Sequence, residues 1–334
     1  MNKMTKLGVS ALCGSLAAVS AANAGDLTVT GGVDMTWISL PKTVVGNPIG
    51  IGSNFTLSGN GEMDNGWTVA LSIAAKNALA YSSTNVTVTI PSMGDIRIGQ
   101  GGSGTGIDRM DDVTPTAWEE AYGVGLTNGI QTVNGASTGT GIEWTPNMMP
   151  DGLTARLFWT PDVTAGGTSD GGASGSAVNS GSSGYDVTLV ATDAITGMSG
   201  LTIGGGYSSV DRTAAEGDIE DTTVYATYAV GGFTLGYQWS EADLGTTTGA
   251  QQYDNDGYGI TFAVNDDLSI GYNHYESEQT NTANVTNEAS SVQIAYSMGG
   301  ASVRLASSEG DNMAYSTAAS GDRDMTVLSV SLAF

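Results

Sequence analysis

Asp108, Asp111, Asp112, Glu119 and Glu120 crowd one stretch of this chain, GSGTGIDRMDDVTPTAWEEAYGVGLTNGIQTVNGAST, residues 102–138. Carboxylates at such spacing offer hard oxygens to a cation such as calcium. Without a metal they set a negative potential that draws cations and slows anions. Bond-making chemistry is poorly supported. The sole histidine, His274, alternates onto the face opposite Ser277, and no oxyanion arrangement accompanies it. One histidine and a single cysteine, Cys13, do not make a zinc site. Residues 99–104 match GxGxxG, but no helix opens after them, as a dinucleotide site requires. The chemistry to expect is electrostatic, with no catalytic residue and no metal site assigned. Calcium at Asp108/Asp111/Asp112, Asp218/Glu220/Asp221 or Asp254/Asp256 stays open, a solvated acidic loop being the simpler reading.

A field needs two poles. Only 10 lysines and arginines face 34 acidic residues, for a formal net charge of −24, a balance that excludes nucleic acid as a partner. Strand alternation puts Lys76, Arg97, Arg156 and Arg304 on the polar face of their segments. The expectation is that Arg97, Arg156 and Lys76 oppose the acidic stretch across water. Arg304 lies far along the chain from Arg97 and is expected outside that set.

The elements that must position these charges read as strands. Apolar residues alternate at period two along segment after segment, as in Trp67, Val69, Leu71 and Ile73 or Leu328, Val330, Leu332 and Phe334. Sixteen such segments can be counted: 27–40, 54–62, 67–76, 85–90, 95–100, 139–145, 153–160, 185–192, 201–210, 222–230, 233–241, 257–264, 268–278, 290–297, 301–308 and 323–334. Short connections alternate with long ones, the connection at 77–84 being the marginal long one. The acidic stretch does not alternate and is too long for an ordinary loop.

One face of each segment is apolar and the other polar, and sixteen strands enclose more space than side chains fill. The polar face therefore lines water and the apolar face meets lipid, with closure pairing every strand edge. Residues 1–24, MNKMTKLGVSALCGSLAAVSAANA, carry a basic start, an apolar run and Ala22-Asn23-Ala24, the pattern of a cleaved secretory signal. Cys13 lies within it, so the remaining chain has no disulfide to rely on. The expected architecture is all-β: a 16-stranded antiparallel transmembrane β-barrel over 25–334, with a long third loop, 102–138, folded into the lumen.

With the leader, the strand count, the long third loop and the terminal LSVSLAF in view, the chain resembles the general porins of Gram-negative outer membranes, and most closely the trimeric porins of α- and β-proteobacteria. The resemblance covers Gly25–Phe334. It implies a pore constriction formed by the third loop, a homotrimer, outer-membrane localisation, contact with membrane lipid and lipopolysaccharide, and passive diffusion of ions and small hydrophilic solutes. It also implies that the last strand, ending in Phe334, is read by the barrel-assembly machinery. The basic wall usual opposite that loop is thin here. The preferred expectation is a non-enzymatic channel with weak cation preference. The alternative is a porin specific for an anionic nutrient, a dicarboxylate or phosphate.

Overall fold

The computed structural model describes residues 27–39, 46–77, 79–100, 104–126, 128–138, 140–163, 183–213, 216–245, 252–280, 285–319 and 321–333. The signal-peptide expectation and Phe334 lie outside the described residues. The strands are β1 (Thr28–Ile38), β2 (Ile49–Glu62), β3 (Thr68–Lys76), β4 (Ala80–Ile90), β5 (Gly94–Gln100), β6 (Gly141–Pro146), β7 (Leu153–Thr160) and β8 (Gly184–Ala191). They continue as β9 (Leu201–Val210), β10 (Ile219–Val230), β11 (Phe233–Asp243), β12 (Gln252–Ala263), β13 (Leu268–Gln279), β14 (Thr286–Met298), β15 (Ala301–Asp311) and β16 (Arg323–Ala333). Each pairs antiparallel with its sequence neighbours, and β1 pairs with β16 to close the barrel. That closure leaves no strand edge to be satisfied by solvent.

The barrel reverses the polarity of a soluble core. Ile51 is 73 % exposed and Tyr237 49 %, whereas Asn273 and Gln293 are 0 % and 1 % exposed. Outward positions carry leucine, isoleucine, valine and aromatic rings; inward positions carry serine, threonine, asparagine, glutamine and glycine. No described helix is long and apolar enough to cross a membrane, so crossing falls to the strands.

Strand ends depart from the alternation in instructive places. β12, β14 and β15 run several residues beyond their apolar alternation. There Asp256 of β12, Glu276 of the intervening β13, Glu288 of β14 and Asp311 of β15 are successive cross-strand partners on the outward face. Hydrogen bonding continues there, although the outward residues are acidic, because this rim stands above the hydrocarbon.

The expected long connection at 77–84 is corrected. β4 starts at Ala80, leaving only a tight turn after Lys76. A bulge between Ala74 and Ala75 breaks the period-two signal, so Ala80–Thr84 does not read as strand from the pattern. One short helix, α1 (Asp193–Thr196), sits in the turn between β8 and β9, where no helix was expected. The Gly231-Gly232 turn joins β10 to β11 with both residues at positive φ, as a two-residue hairpin demands.

Leu305 faces outward between Ile294 and Leu328, near the middle of its strand. Leu305→Arg is expected to destabilise the barrel by about 2–4 kcal/mol, the cost of a cation on the lipid face near the midplane. Thr87→Ser on the inward face, opposite Arg97, keeps a hydroxyl toward the lumen and should cost far less. Denaturant titration of folding into vesicles reads the difference.

Candidate pore constriction

The segment between β5 and β6 lies inside the barrel. A 3-10 turn, Gly106–Met110, lies against β7–β10, and Glu143 of β6 reaches its first residue. The chain then runs inside β11–β14, reaches β15 and β16, and returns to β10 and β8. This path explains why the buried polar residues belong mainly to β8–β15: the loop covers them.

Irregular backbone cannot satisfy its own N–H and C=O groups, so the wall must do it. Side-chain amides suit the task because each both donates and accepts. Gln238 on β11 accepts from the Val113 N–H at 3.4 Å and donates to the Met110 carbonyl at 2.5 Å. Gln293 on β14 accepts from the Trp118 N–H at 2.8 Å and donates to the Glu119 carbonyl. Asn273 on β13 accepts from the Ala121 N–H at 2.8 Å, and Asn287 on β14 donates to the Asn128 carbonyl at 2.8 Å. Apolar contacts fill between these bonds. Ala121, Leu126 and Ile130 pack with Tyr275, Ala289, Met313 and Met325, and Val124 packs with Ala306 and Val327.

Glycine makes the space. Inward positions Gly236 and Gly259 both lie against Pro115 so closely that a Cβ would collide with it, and a Cβ on Gly271 would stand 3.0 Å from the Ala117 nitrogen. The wall is stripped to backbone where the loop crosses it.

The expected acidic residues form one connected group. Asp112, Glu119 and Glu120 bring carboxylate oxygens within 4.8 Å of one another. Asp111 and Asp108 feel Asp112 directly. Burial pushes Asp108 upward, with repulsion from Asp112 adding to it. Glu120 is buried and is pushed up to about 9, by burial first and then by its hydrogen bond and repulsion with Glu119. Asp112 and Glu119 are exposed to the lumen. The triad offers three of the roughly six to eight oxygens that calcium takes. Of the other clusters weighed for calcium, Asp218/Glu220/Asp221 is corrected: Glu220 and Asp221 are adjacent in β10 and point to opposite faces.

The basic residues divide differently from expectation. Arg97 and Arg156 share a neighbourhood with Arg109 and Glu143, a pair that the charge pattern had not singled out. Arg109, from the loop, meets Glu143, from the wall, at 2.5 Å. Here the poles are exchanged: the loop supplies the cation and the wall the carboxylate. Alternation could have found Glu143, which faces inward between Ile142 and Trp144. Arg304, expected outside the set, lies under the loop, 5.0 Å from the Trp118 ring, and pairs with Asp34 at 2.8 Å. Lys76 stands at the end of β3, in a cleft with Asp34 and Asn54.

Glu120 binds its proton more tightly in the folded protein than in the unfolded chain. Its contribution is therefore neutral near its ordinary value of 4.5 and becomes a penalty as pH rises towards about 9. Glu120→Gln is expected to match the unmodified protein in acid and to become the more heat-stable of the two as pH rises. Thermal unfolding in detergent across that range measures the gap.

Comparison with known proteins agrees with this geometry. The family model described as Gram-negative porin matches residues 8–333. A porin structure refined at 1.8 Å resolution superposes with a TM-score of 0.65 at 14 % identity, covering 92 % of this chain and 100 % of that one. OmpT, an outer membrane protein of Vibrio cholerae, superposes with a TM-score of 0.65 at 12 % identity, covering 92 % and 97 %. A mutant of the Rh. blastica porin gives 0.57 at 14 % identity, covering 92 % and 100 %. No curated protein sequence matches the chain.

Proposed function

The chain belongs to the Gram-negative porin family and forms an outer-membrane channel, and on that premise we propose a passive pore for ions and small hydrophilic solutes with weak cation preference. The observation that carries this reading is the acidic loop seated inside the barrel, with Asp112 and Glu119 exposed to the lumen. Lumen-facing charge tunes which ions pass.

Weakness of the preference has a physical ground. Burial first, then hydrogen bonding and repulsion among neighbouring carboxylates, pushes Glu120 up to about 9 and Asp111 up to about 8, so both favour the protonated form at neutral pH and two negative charges are removed. Arg97, Arg109, Arg156, Arg304 and Lys76 offset several others, and Glu143 and Asp34 answer two of those cations directly. Asp112 and Glu119 remain as exposed lumen carboxylates on the loop, and the acidic outer rims add to their field.

The wider assembly follows the family in this reading. The chain is exported by the leader 1–24, is recognised by the barrel-assembly machinery through a last strand ending in Phe334, and works as a homotrimer among outer-membrane lipid and lipopolysaccharide. The cluster of Arg97, Arg109 and Arg156 around Glu143 is the feature that would favour an anionic nutrient instead.

Reversal potentials in a planar bilayer under a KCl gradient separate the two readings. The unmodified protein is expected to favour K⁺, less so at high salt, where screening shortens the reach of the loop charges. Asp112→Asn with Glu119→Gln should lose most of that preference. A Cl⁻ preference would move the assignment to the arginine cluster.

A further inference from the structure

Three buried carboxylates on the barrel wall receive the two limbs of the loop where it enters and leaves the lumen. On the entry limb, the Gly106 N–H donates to Glu143 Oε2 at 2.7 Å and the Ile107 N–H to Asp186 Oδ2 at 3.1 Å. On the exit limb, the Ala136 N–H donates to Asp186 Oδ1 at 3.0 Å, and the Gly135 and Asn134 N–H groups donate to Asp221 Oδ2 at 2.6 and 3.2 Å. Asp186 is the only one of the three that holds both limbs, one with each oxygen. It is 1 % exposed.

The backbone on both limbs is shaped for these carboxylates. Gly106 and Gly135 have φ of +60° and +66°, in the left-handed region where other residues are strained. A Cβ on Gly106 would collide with the Asp186 carboxylate, and one on Gly135 would meet both Ile107 and that carboxylate. Successive N–H groups turned toward an anion in this manner form a nest for its charge. The charged groups on the elements packed around Asp186 are Asp221 of β10, Glu143 of β6, Arg156 of β7, and Asp108 and Arg109 of the 3-10 turn; β9 presents the Ser208 hydroxyl. Arg109 is engaged by Glu143.

We propose that Asp186 is the positioning residue that clamps the entry and exit limbs of the constriction loop together, with Glu143 and Asp221 holding one limb each, so that the channel keeps its bore only while the clamp is ionised. This rests on the channel reading above. Each Asp186 oxygen accepts from one limb, and the negative charge strengthens both bonds. A proton added to it removes the charge from both bonds and leaves one oxygen a poor hydroxyl acceptor, so the limb held by that oxygen is loosened. An amide does the same without a proton: Asn keeps one acceptor and turns its NH₂ against the other limb.

Single-channel recording of Asp186→Asn against the unmodified protein tests the clamp. Loss of one charge-assisted hydrogen bond predicts about ten-fold more time in partly blocked levels, and closure at lower voltage. The unmodified protein should acquire the same flicker on acidification, whereas Asp186→Asn should respond less. Asp186→Glu, which keeps both acceptor oxygens, should restore part of the quiet behaviour, and a heat-modifiable band on a denaturing gel reports the barrel in each case. Identical amplitude, flicker and acid response in Asp186→Asn and the unmodified protein would overturn the assignment while leaving the channel intact. If Asp186→Asn does not assemble, Asp221→Asn, which frees only the exit limb, takes its place with the same expected flicker and the same overturning result. If the unmodified protein conducts nothing, the channel reading itself fails, and the difference in tryptophan fluorescence between the unmodified protein and Asp186→Asn across the acid titration then reads the clamp: a change absent from the variant supports it, and an identical titration in both overturns it.

Discussion

A peptide group in hydrocarbon has no water to bond with, and everything else in this structure follows from meeting that demand. Sixteen strands satisfy it by pairing in sequence order, and the β1–β16 ladder removes the last two edges. Once the ring is closed, the outward face is fixed as apolar. The inward face then encloses a volume too wide for its own side chains to fill. The chain answers with an inner layer of its own.

That inner layer meets the same demand by different means. The loop has almost no regular hydrogen bonding, so wall side chains complete its backbone: Gln238, Asn273, Gln293 and Asn287 along its length, and Glu143, Asp186 and Asp221 at its two limbs. Polar residues buried in the described barrel thus act as a template for one path of the loop. Stability and filtering are thereby linked, because the side chains that hold the backbone also decide which loop carboxylates remain in the lumen.

Much of the fold was legible in the chain because alternation reports directly on a wall with lipid on one side and water on the other. It fails where that contrast fails. At Gln252–Asp256 and Thr286–Ala289 the outward residues are polar or acidic because the strands have risen past the lipid. At Ala80–Thr84 a bulge shifts the count by one. The site was legible in composition but not in pairing. Parity places Asp186 and Asp221 inside, yet nothing local says that loop residues 79 and 86 positions away will meet them. Arg304 shows the same limit: parity places it on the lumen face, but order along the chain does not reveal that the loop crosses the lumen to bring Trp118 over it.

Gly236, Gly259 and Gly271 lie behind the loop, yet they set how far it stands from the wall. The width of the opening is therefore written partly in residues that lie behind it. A single added methyl group at one of these positions would shift Pro115 or Ala117 inward, toward the water column, with the charged groups unchanged. Size and charge become separately adjustable properties of one pore, and selection acting on permeability has a steric dial on the strands as well as an electrostatic one on the loop.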